Sequence, residues 1–142
     1  MLGTKNGVGL LIVMFTAVAI GCASTGTPKT IAAGDLPSLA GTWDGTLIPP
    51  SGGMGSTPTT GTLTLSANGD YAARAGAFAA QGKAQVKDGG LQLTSTSTTG
   101  GLATGQRTST AALSERPDGT LVLTGFGHSD AGPFNFEVTR RK

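Results

Sequence analysis

From Leu39 onward the chain alternates apolar or small residues with polar ones, and Gly, Pro, Asn and Asp punctuate the pattern. A period of two belongs to half-buried strands, whose successive side chains face opposite sides of a sheet. Eight strands are predicted: Gly41–Ile48, Gly61–Ser66, Asp70–Ala75, Gly82–Lys87, Gly90–Ser95, Gly105–Ser114, Thr120–Gly125 and Phe134–Arg140. One face carries Trp43 and Leu47, Leu63 and Leu65, Tyr71, Ala73 and Ala75, and Ala84 and Val86. Leu91 and Leu93, Ala111 and Leu113, Leu121 and Leu123, and Phe134, Phe136 and Val138 continue it. The opposite face is mostly Thr, Ser, Gln, Lys and Arg. Asn68-Gly69, Asp88-Gly89 and Pro117-Asp118-Gly119 mark tight hairpins, because these residues tolerate the positive φ that such turns require. The other connections read as longer loops: Pro49–Thr60, Gly76–Gln81, Thr96–Thr104 and Phe126–Pro133. In a meander this alternation sends the tight turns to one end and the long loops to the other. The predicted fold is all-β, an eight-stranded antiparallel up-and-down barrel, which leaves no exposed sheet edge. Strands of about six residues fall short of the ~9–11 needed to span a bilayer, and the outward face is polar.

The leading residues follow a different pattern. Lys5 precedes a 13-residue apolar run, Val8–Ile20, broken only by Gly9 and Thr16. A transmembrane helix needs about 20 apolar residues, so the run is predicted to be the core of a signal peptide, preceding a flexible linker. Ala19-Ile20-Gly21-Cys22 resembles the lipobox of bacterial lipoproteins. The resemblance implies cleavage before Cys22 and attachment of a diacylglyceryl group, carrying fatty acyl chains such as palmitate, to its sulfur. Ala23, in place of Asp, implies an outer-membrane anchor in the cell envelope, with the membrane face left open. Residues 1–21 are thus expected to be the leader, 22–37 a lipidated tether and 38–142 the barrel. Fifteen extended residues, Ala23–Pro37, reach at most about 50 Å. Cys22 is the sole cysteine, so no disulfide is expected within the chain.

LAGTWDGTL in the first strand resembles the Gly-x-Trp signature of lipocalins and the opening of avidin-like barrels, the calycin group; here it is Gly41, Thr42 and Trp43. The resemblance implies that Trp43 plugs the tight-turn end and that a basic residue closing the last strand, Arg140, lies over its ring. A bacterial protease-inhibitor family with a similar barrel fits the same pattern.

Composition narrows the function. The net charge is +2, with only 13% of residues charged, so no electrostatic field argues for nucleic acid. His128-Ser129-Asp130 has the residue types of a hydrolase triad, but adjacent residues do not converge in that geometry. One His and one lipidated Cys do not make a zinc site, and the glycines near Met54 lack a phosphate-cradling motif. No catalytic residue, metal or cofactor is expected. Two non-catalytic readings stay open: a small apolar ligand in the barrel mouth, or an envelope protein bound by the long loops. Met54, Phe78, Leu102, Phe126 and His128 would be the contact residues of that end. A protease-inhibitor-like or purely structural envelope role is the alternative. The alanines at 73, 75 and 84 leave space inside while Phe134 and Phe136 fill it, so the sequence does not decide whether the interior is full.

Overall fold

The computed structural model of the chain describes residues 26–48, 58–76, 78–99, 107–129 and 132–142. Its strands are β1 (Thr27–Lys29), β2 (Gly41–Ile48), β3 (Thr59–Leu65), β4 (Asp70–Ala75), β5 (Phe78–Lys87), β6 (Gly90–Thr99), β7 (Arg107–Glu115), β8 (Leu121–Ser129) and β9 (Gly132–Arg140). β2 to β9 pair antiparallel with their neighbours in chain order, and β2 pairs with β9 to close eight strands into a barrel. The register of that closing pair runs from Trp43↔Arg140 to Ile48↔Asn135. On the outer wall Arg141 forks onto the Asp44 carboxylate with two bonds of 2.7 Å. That hydrogen-bonded cation holds the Asp44 carboxyl below the usual carboxylate range.

The tight-turn end is as the punctuation predicts. Asp88 and Gly89 both take positive φ, 51° and 76°, the geometry of a two-residue hairpin turn. The opposite end departs from expectation. Gly76, at φ 60°, reverses the chain so tightly that Ala75 pairs with Phe78, where a six-residue loop was expected. β8 and β9 pair as far as Ser129↔Gly132, so the expected Phe126–Pro133 loop is mostly strand. The other two expected loops, Pro49–Thr60 and Thr96–Thr104, fall largely on residues 49–57 and 100–106, which lie outside the described residues, while β6 continues to Thr99.

Several strands outgrow their predicted lengths, β5 and β6 reaching ten residues. Strand length therefore no longer argues against a membrane barrel. The outer wall still does: Arg74 and Lys83 stand exposed there, and such a cation costs about 2–4 kcal/mol at a bilayer midplane.

The largest correction is to the linker. Thr27–Lys29 pairs with Leu113–Glu115 as an added strand, and the Lys29 ammonium meets the Glu115 carboxylate. The Ile31 amide then donates to Gly89 O at 2.9 Å, and Ala33–Leu39 forms a 3-10 helix whose entry the Asp35 carboxylate caps at the Ala32 amide. Ile31 and Leu39 are buried, and Leu36 packs against the same core. This segment stoppers the tight-turn end. Trp43, fully buried, donates from Nε1 to Leu39 O at 3.1 Å. Arg140 serves that end differently from expectation: it donates to Ser38 O at 2.6 Å and Ala40 O at 2.8 Å. No cation–π pair occurs among the described residues.

Val122 is also fully buried although its register sets it on the outer face, between Ser114 and Thr139. The Arg116 guanidinium reaches Glu137 on β9 at 3.3 Å, across β8. A long stem laid over a strand in this way covers the apolar side chain beneath it.

Candidate functional site: a hollow in the open half of the barrel

The two halves of the interior are filled differently. In the closed half Trp43, Leu65, Leu91, Leu113 and Leu123 pack with Ile31 and Leu39. In the open half several inward positions of β3, β4 and β5 are small: Gly61, Ala73, Ala75 and Ala80. Phe78, beside Ala75 in the β4–β5 ladder, and Phe134 and Phe136 on β9 border the same space, a cavity of about 80 Å³. Leu47, Leu63, Leu93 and Val138 complete the apolar part of the lining, Tyr71 and Ser109 add two inward hydroxyls, and Thr46, Thr62 and Arg74, which the register sets on the outer face, border it at the edge.

Glycines explain why the phenylalanines do not fill this space. Gly125 stands opposite Phe136 and Gly127 opposite Phe134 in the β8–β9 ladder. A Cβ on Gly125 would lie 2.0 Å from Phe136 Cζ, and one on Gly127 2.6 Å from Phe134 Cζ. Each ring therefore lies back against the bare backbone of its glycine, an aromatic–glycine pairing known to set register in sheets. The rings line the hollow and do not plug it.

Burial pushes the Tyr71 phenol up to about 12, with the hydrogen bond between Tyr71 and Ser95 acting the other way. Ser95 Oγ also exchanges 3.3 Å bonds with the backbone N–H and C=O of Arg107. Tyr71 stays neutral at ordinary pH, and the hollow carries no buried charge.

The contact residues expected from sequence do not converge. Phe78 lies on the inner wall of the hollow. Phe126 and His128 are strand residues facing outward, their rings edge to face with centroids 4.9 Å apart. Phe126, 45% exposed, shares a row with Asn135 and with Ile48, 44% exposed. Cys22, Met54, Leu102 and Asp130 lie outside the described residues, as does the whole leader. Gly41, Trp43 and Arg140 come together at the closed end. Sequence reasoning missed Ser109, Ala80 and the two β8 glycines. Gly-x-Gly in register with Phe-x-Phe across a hairpin was the signal that could have found the last pair.

Among the described residues no three of His, Cys, Asp and Glu cluster as metal ligands would. No protein-family description, curated protein or solved structure matches the chain.

Proposed function

We propose that the chain is a lipid-anchored protein of the bacterial cell envelope, most similar in plan to the calycins, whose barrel binds a small apolar molecule in its open half. The hollow lined by the small residues and the three phenylalanines carries this reading. Its 80 Å³ is about half the volume of a ~150 Å³ apolar cavity that takes up one benzene. A few carbon atoms fit inside, and anything longer projects through the mouth. Burying about three methylene groups contributes roughly 2–3 kcal/mol, so such a ligand alone binds no tighter than the millimolar range.

The geometry of tethering supports the same assignment. Gly26 begins the described chain beside Ser114 and Glu115, at the stoppered end. Only three residues separate Cys22 from Gly26, four chain steps that span at most about 14 Å, not the 50 Å that an unstructured linker would give. A lipid on Cys22 then holds the closed end at the membrane and turns the hollow away from it. Cys22→Ser is expected to leave an unprocessed precursor of full length. Normal maturation of that variant, read by mass spectrometry, contradicts the anchor.

Ala73→Leu places three more carbons in the hollow. Binding of n-pentane, followed by NMR titration, should weaken tenfold or more. Stability should hold or rise by about 0.5–2 kcal/mol, as in cavity filling. Unchanged pentane affinity in the variant contradicts the site.

A second reading, an envelope protein docked on the outer wall, is favoured by the exposed Ile48 and Phe126 flanking Asn135. Aromatic residues are enriched at such interfaces.

A further inference from the structure

The inward hydroxyls of the lumen differ in what they touch. Tyr71 bonds Ser95, and Ser95 is tied to both backbone groups of Arg107. Thr46 and Thr62 border the cavity but lie on the outer face by register, Thr62 donating to Asp44 Oδ1 at 3.2 Å. Ser109 is the remaining inward hydroxyl of the lining, and no hydrogen bond to it is made by the other described residues. Its position is fixed by its neighbours: a Cβ on Gly127 would lie 2.5 Å from Ser109 Oγ and 2.6 Å from Phe134 Cζ. The hydroxyl therefore sits beside the Phe134 ring, over bare glycine backbone, on the wall of an otherwise apolar hollow.

We infer that the hollow selects small amphiphiles, a few carbons carrying one hydrogen-bonding group such as an aliphatic alcohol, and that Ser109 is the residue that reads that group. The inference rests on the ligand-binding reading above and specifies its chemistry. A half-buried hydroxyl is satisfied by water while the mouth is open. A purely apolar ligand that fills the hollow strips this water and leaves Ser109 Oγ unpaired. A ligand hydroxyl replaces the water with a bond of similar quality. Stranding a polar group costs more than making its bond gains, so Ser109 discriminates chiefly by penalising hydrocarbons. Phe134, resting on Gly127 at the level of Ser109, and Phe136, resting on Gly125 one inward position deeper, line the path of the ligand's carbon end.

The test compares two probes of equal heavy-atom number, 1-butanol and n-pentane, on the parent protein and on Ser109→Ala. Comparing variants rather than probes removes the difference in how well water solvates the two molecules. Ser109→Ala should tighten n-pentane about fivefold or more, because no hydroxyl is then left stranded, and should weaken 1-butanol, whose hydroxyl loses its partner. Ser109→Thr, which keeps the hydroxyl, should retain the parent's affinity for 1-butanol relative to n-pentane. Equal change of both probes in Ser109→Ala overturns the inference while leaving the ligand site standing. Failure of both probes to bind the parent overturns the site itself, and with it the inference. Unfolding midpoints of the two variants matching the parent's confirm that each comparison is made on the same fold.

Discussion

Trp43→Ala should destabilise the barrel by about 3–5 kcal/mol, the cost of removing a large aromatic side chain from a closed core. At a urea slope of about 2 kcal/mol per molar the unfolding midpoint falls by about 2 M. Trp43 has no exposed surface, faces inward between β3 and β9, and bonds Leu39 O from its indole nitrogen. Truncation empties the centre of the closed half and frees the stopper from its attachment at Leu39. The loss should spread to β1 and the 3-10 helix, whose amides are expected to exchange faster than those of β4 and β5. Trp43→Phe separates the two effects. It keeps much of the packing, loses the indole bond, and should cost about 1–2 kcal/mol. An Ala variant as stable as the parent contradicts the buried-plug account.

Gly45→Ala should cost about 3 kcal/mol, although it adds one methyl group. Gly45 pairs with Val138 on β9 and with Gly61 on β3, at the seam where the barrel closes. An ideal Cβ there would lie 1.9 Å from Glu137 O and 2.7 Å from Val138 Cα. The obstruction is backbone, which no rotamer change relieves, so β2 and β9 must separate locally. Gly34→Ala is the matched control, because a Cβ at Gly34 meets nothing within 4 Å. It should change stability by no more than about 0.5 kcal/mol. Similar unfolding midpoints for the two variants contradict the tight closure.

The barrel was legible in the sequence because each of its strands is wet on one face and dry on the other, which writes period two into the residues. The stopper was not. Ile31, Leu36 and Leu39 follow neither period, and Thr27–Lys29 pairs through its backbone while all three side chains stay exposed. The misread loops share one cause. Gly125 and Gly127 look like loop residues because they lack side chains, yet they are strand positions cut away for Phe136 and Phe134. Ending β8 at Gly125 hid the parity that turns Phe126 and His128 outward. At the other misread loop a single glycine, Gly76, among small residues gives too weak a turn signal to distinguish two residues from six. The hollow was half visible: Ala73 and Ala75 do line it, but Ala84 belongs to the packed closed half. Whether space remains inside depends on ring orientation, which composition does not encode.

The central claim is that the open half of the barrel is hollow and receptive while the closed half is full. Methyl-labelled NMR spectra of the protein titrated with n-pentane test it most directly. The Ala73, Ala75, Ala80 and Leu93 methyls should shift in constant proportion to one another as n-pentane is raised to its aqueous solubility, while those of Leu65, Leu113 and Leu123 stay in place. Shifts confined to the outward methyls of Ala72 and Ala112, or a response centred on the closed-half leucines, would contradict it.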